Sequence, residues 1–129
     1  MKNLSFLVLF TALFLGFSAC EKTPDVKETV EVTINAPTEG ASMQNGDDLN
    51  VNVTFTDPAE LHNYSIVVTN ETDTTTVLDL NGHDHSTSLT IDSTITLSVT
   101  ALSDFKLVAT ASNHAGESAT KDVHFQVNP

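Results

Sequence analysis

In Asn81-Gly82-His83-Asp84-His85-Ser86 two imidazoles stand two residues apart, in a chain of 129 residues that has only five histidines, His62, His83, His85, His114 and His124. On an extended backbone residues i and i+2 point to the same side, so His83 and His85 can share one ion. Zinc takes neutral imidazole nitrogens at about 2.0 to 2.1 Å. Copper and nickel suit the same donors, since ligand type alone does not choose among them. Asp57, Glu60 and Asp84 could complete the shell. Calcium would instead use oxygens, from Asp57, Glu60, Asp84 and Asn113, but the chain carries no EF-hand loop and no tight run of acids. The plain alternative is a polar loop on an acidic surface.

Other chemistry has less to draw on. The sequence has no Gly-x-Ser-x-Gly elbow, no His-Glu-x-x-His and no glycine loop for phosphate, and its one cysteine has another use, given below. A protein that is not an enzyme is therefore expected, with no catalytic residues. Asp73-Thr74-Thr75 and Asp92-Ser93-Thr94 resemble the Asp-Ser/Thr-small acceptor motif for O-glycans of some Gram-negative envelopes.

The first twenty residues, MKNLSFLVLFTALFLGFSAC, place Lys2 ahead of an apolar run from Leu4 to Phe17, followed by small residues and Cys20. That is the pattern of a secretory signal, too short for a comfortable membrane span. Phe17-Ser18-Ala19-Cys20 resembles the lipobox of bacterial lipoproteins, although phenylalanine stands where leucine is usual. The resemblance implies cleavage after residue 19, a lipidated Cys20 and an anchor in the cell envelope, in the outer membrane of a Gram-negative bacterium. A lone cysteine in an exported chain cannot form an internal disulfide, which fits the same use. At roughly 0.8 kcal/mol per buried methylene, two or three acyl chains hold a protein on a bilayer essentially permanently.

After residue 19 the chain keeps Lys22, Lys27, Lys106 and Lys121 against 17 acids, a formal charge of −13, and it has no arginine. A nucleic-acid partner is excluded, because a phosphate backbone needs a basic patch. Residues 20–29 include the polar EKTPDVKET, which lacks periodicity and reads as a tether of at most about 30 Å. Residues 30–129 read as one domain with an aliphatic core, since only Phe55, Tyr64, Phe105 and Phe125 remain as aromatics.

Within that domain the hydrophobic period is two. Val30, Val32 and Ile34 alternate with polar residues, as do Leu49, Val51, Val53 and Phe55, then Tyr64, Ile66 and Val68. NETDTT reads as a hairpin loop with Thr76 to Leu80 returning. Thr87 to Ala101 reads as one long strand or as two pieces kinked near Asp92-Ser93. Strands around Phe105 to Ala111 and Ala119 to Val127 close the chain. No helical stripe follows residue 20, so the expected fold is an all-β sandwich of about seven antiparallel strands.

The stretch DFKLVATASNHAGESATKDVHFQV resembles the last two strands of bacterial Ig-like and fibronectin-III-like modules, and the likeness extends over about Val30 to Pro129. Phe105 occupies the place of a corner tyrosine, whose hydroxyl bond it cannot make. The whole chain is more loosely similar to small envelope lipoproteins with scattered histidines on a single Ig-like domain. In a sandwich of this connectivity the loop before the third strand and the last hairpin loop share one end. His62 and His114 should lie there, joined by His83 and His85 if the fourth strand runs back to that end. His124, on the parity opposite Val123 and Phe125, should face solvent as a bystander. The expectation is a membrane-anchored, non-catalytic binding module for an envelope protein or glycan. The alternatives are a zinc- or copper-binding protein using His62, His83, His85 and His114, and a structural subunit of an envelope complex.

Overall fold

The computed structural model describes residues 29–129; the expected signal peptide, Cys20 and nearly all of the tether lie outside the described residues. The chain forms the expected all-β, Ig-like sandwich. Its eight strands are β1 (Glu31–Ala36), β2 (Ala41–Gln44), β3 (Asp48–Thr56), β4 (Leu61–Asn70), β5 (Thr75–His83), β6 (Ser88–Thr96), β7 (Ser103–Asn113) and β8 (Ser118–Asn128). One sheet has the order β1-β3-β6 and the other β2-β8-β7-β4-β5.

Alternation explains the layers. Odd residues of β3, Leu49, Val51, Val53 and Phe55, meet Ile66 and Val68 of β4, Leu107, Ala109 and Ala111 of β7, and Phe125 and Val127 of β8 in one buried core. Each large side chain so buried contributes about 1.5 to 3 kcal/mol relative to exposure. Phe105 and Phe125 stack with centroids 5.3 Å apart, so packing holds the corner where a tyrosine hydroxyl bond is missing. The opposite face of the smaller sheet is a polar ladder: Asn35 donates to Asn52 and Thr54, and Asn50 and Asn52 donate to Asp92.

Three readings of the sequence need correction. β2 falls outside the strands expected from the sequence, and it pairs parallel with β8, Ala41 opposite Phe125, so the sandwich is not wholly antiparallel. Four residues with only Ala41 and Met43 facing inward carry too little alternation to stand out from a loop, and a parallel edge pairing has no local code. The long Thr87–Ala101 strand is the second case. β6 runs through Asp92-Ser93 without a break and stops at Thr96, after which the chain crosses the sandwich end. Leu97 and Val99 remain buried there because they plug the core from below, so their alternation continues although the strand has ended. The third case is the returning hairpin strand, which extends to His83 instead of ending at Leu80.

Register fixes the two poles. Glu31 pairs with Thr56, Thr56 with Ser88, Leu61 with Asn113, Asn63 with His83, and Ser112 with Ser118. The starts of β1, β4, β6 and β8 and the ends of β3, β5 and β7 therefore share one end, the N-terminal pole. The described chain terminates at the opposite pole, where β8 ends beside the start of β7.

Candidate metal centre

His62, His83, His85 and His114 all stand at the N-terminal pole, where the alternative reading of the sequence places them. Each arrives by a different route. His83 is the last residue of β5, and His85 follows in the connection to β6. His114 begins the β7–β8 turn. His62 sits at a β-bulge, since Leu61 pairs with Asn113 but Asn63 pairs with Ser112. A bulge adds one residue and re-aims side chains, and here it turns His62 toward the pole while Leu61 and Tyr64 both stay on the inner side. The signal was readable in the sequence: Leu61 and Tyr64 have opposite parity, so one residue between them must be extra.

The loops that carry the rings are tied to one another. Buried Asp57 accepts from Asn113 Nδ2 at 2.8 Å and from the Ala59 amide at 2.7 Å. Asn113 Oδ1 in turn accepts the Glu117 amide at 3.0 Å, bracing the turn that holds His114. Asp84 donates its amide to the His62 carbonyl, and Leu61 donates to that of Ser86, stitching the β5–β6 connection to β4. Asp84 also accepts from the Ser86 hydroxyl and amide. Asp57, Asn113 and Asp84 are thus already engaged by protein groups, which removes most of the oxygen set considered for calcium. Glu60, just before β4, has φ 114°, a strained value for a residue with a Cβ.

Gly82 has a reason of its own. A Cβ there would lie 2.5 to 2.8 Å from the Tyr64 phenol, so the glycine leaves room for that ring against β5.

The four rings form one packed group. The His62 centroid lies 4.1 Å from His83, 3.9 Å from His114 and 6.0 Å from His85; His85 stacks on His114 at 5.1 Å. His62 and His114 share a hydrogen bond between their Nδ1 atoms at 2.7 Å, and His114 Nε2 meets His85 Nδ1 at 3.2 Å. His114 therefore turns its two nitrogens to different neighbours. Among the described residues no three histidine, cysteine, aspartate or glutamate side chains hold their donors ready for one ion as they stand. Tetrahedral coordination at 2.0 to 2.1 Å sets donors about 3.3 Å apart. The 3.2 Å pair already meets that spacing, and the 2.7 Å pair needs to open. The χ2 torsion of histidine is broad and roughly two-fold, so ring rotation can redirect the nitrogens without moving the backbone.

Electrostatics favour the neutral form of His62. Desolvation, followed by the nearby His114, His83 and His85, holds His62 below the ordinary imidazole range. The Ser86 hydrogen bonds, helped by His85 and opposed by desolvation, hold Asp84 below its ordinary value.

The fifth histidine is elsewhere. His124 faces solvent on the outer side of the larger sheet, as its parity requires, but it is not solitary. Its Nδ1 lies 3.9 Å from both Glu39 and Asp122, and its Nε2 lies 3.8 Å from Glu71. It lines an open depression of about 310 Å³ with Glu39, Glu71, Asp104 and Gln126, toward the far end of the sheet. Of the two glycan-type motifs, Thr74 lies in the exposed β4–β5 turn with φ 63°, while Ser93 is half-buried within β6.

No protein-family model matches the chain, and no curated protein matches it. Among solved structures it is similar to the fibronectin(III)-like modules of Clostridium thermocellum CbhA, with a TM-score of 0.47 and 18% identity over 76% of this chain and 96% of that one.

Proposed function

We propose that this domain is a non-catalytic module that binds a divalent transition metal ion through His62, His83, His85 and His114, held at an envelope membrane by lipid on Cys20. The observation that carries the reading is the convergence of four imidazoles from β4, β5, the β5–β6 connection and the β7–β8 turn, with centroids as close as 3.9 Å. Packing four bases together is unfavourable when they are protonated, and the lowered His62 pKa keeps that ring in the form that binds metal. Zinc and cupric copper fit an all-nitrogen set. A cuprous site would call for sulfur, and Met43 lies on β2 across the fold.

The mature protein, titrated with zinc and separately with cupric ion, tests this. Under zinc the imidazole resonances of the four pole histidines shift together, while His124 stays behind. Cupric ion broadens the same four first. If the four do not respond as a set, the metal reading fails, and the domain reverts to a contact module or spacer.

A further inference from the structure

The tether and the histidines leave the domain at the same end. Val30 precedes Glu31, Glu31 pairs with Thr56, and the next residue, Asp57, is hydrogen-bonded to Asn113 beside His114. The strands of the larger sheet run 9 to 11 residues, β2 apart, to the opposite pole, where Asn128 ends β8. At about 3.3 Å per residue, the two poles are roughly 30 to 35 Å apart. Between Cys20 and Thr29 the chain can span at most about 30 Å.

We infer that the four-imidazole pole is the membrane-facing end of the domain, so that its ion enters and leaves through the gap between domain and bilayer. The inference rests on the proposed lipid anchor at Cys20. A longer tether, or a tether joined at the far pole, would let the cluster face open solvent. With this one, the linker that fixes the chain to the bilayer emerges beside the rings. Small ions diffuse into that gap, and large soluble proteins meet the opposite pole first. The outer face bearing His124, Glu71 and Asp104 lies nearer that outward end.

Lipidation consumes Cys20, the one cysteine, so a single introduced thiol labels cleanly. Full-length lipidated protein carrying Ala115→Cys, in the β7–β8 turn, or Thr100→Cys, in the crossing at the far pole, is labelled with a donor fluorophore. Each is reconstituted in zwitterionic phospholipid vesicles containing a headgroup acceptor. Transfer is expected to be several-fold stronger from position 115 than from position 100. Equal transfer, or stronger transfer from position 100, overturns the orientation. Flotation of the same vesicles reads the anchor separately: protein that fails to float overturns the anchor and the inference together, whereas floating protein with reversed transfer overturns the orientation alone. Zinc binding by the same preparation, with and without vesicles, shows whether the metal reading stands independently of either result.

Discussion

Two regions of this molecule surround histidine in opposite ways. At the N-terminal pole four imidazoles face one another, and the carboxyls nearby are taken up by Asn113, Ser86 and backbone amides. On the outer face of the larger sheet a single imidazole, His124, stands among Glu39, Glu71 and Asp122. In the first region desolvation and the neighbouring imidazoles disfavour the charged form of His62; in the second, the ring nitrogens lie 3.8 to 3.9 Å from three carboxylates. Residue type alone does not distinguish the two. What separates them is that the pole is built by a bulge, a buried hydrogen-bonded pair and converging connections, whereas the His124 face is built from exposed side chains on neighbouring strands.

The contrast breaks most directly at the ligands. His62→Ala should weaken zinc binding about 100-fold, which is about 2.7 kcal/mol, and His124→Ala should leave it unchanged by isothermal titration. Equal losses from the two would put both regions on one footing.

Their scaffolds should differ by a similar amount. Asp57→Ala removes the acceptor of the Ala59 N–H and leaves the Asn113 amide only its longer bond to Glu117, and should cost about 2 to 3 kcal/mol in urea unfolding. Asp104→Ala removes an exposed bond from Gln126 and should cost less than about 1 kcal/mol. Gly82→Ala pushes a methyl into the Tyr64 ring, for a loss of about 1 to 2 kcal/mol together with a shifted His83 resonance.

Proton linkage sharpens the comparison without metal. Because the folded pKa of His62 is lowered, the unfolded chain binds more protons below its own imidazole pKa, about 6.5. The stability this contributes is complete above that pH and is lost as pH falls toward the folded value. Asp84, also lowered, adds a second loss in the acid range, as pH falls through its folded pKa. The urea midpoint of the metal-free domain should therefore drop between pH 7.5 and 5.5, and His62→Gln should flatten that slope. An unaltered slope would mean that crowding of the rings is not its source.

The smallest effects come from one substitution made at both ends. Glu60→Gly and Thr74→Gly each relieve a positive φ and should raise stability by about 0.5 to 1 kcal/mol. Only the first loosens the segment leading to His62, so only it should also weaken zinc binding.

Much of this was legible in the sequence, for reasons tied to particular residues. Alternation in Leu49–Phe55 and Phe105–Ala111 reads directly as strands with one buried face. The shared pole of His62, His83, His85 and His114 follows from connectivity once those strands are in order. β2 stayed hidden because its pairing with β8 is non-local, and Leu97 and Val99 misled because burial at a sandwich end imitates strand alternation. The donor orientations are set by torsions that no spacing encodes, so the sequence could place the rings together but could not aim their nitrogens.

The chain has no tryptophan and one tyrosine. Tyr64 lies against Gly82, the residue before His83, and two residues after His62, so the near-ultraviolet emission of this protein originates almost entirely in the strand pair that carries two of the four rings. A paramagnetic cupric ion held at the pole should quench that emission, and diamagnetic zinc should leave most of it intact. The packing that makes residue 82 a glycine therefore gives the domain a built-in optical probe of its own candidate site, without any added label.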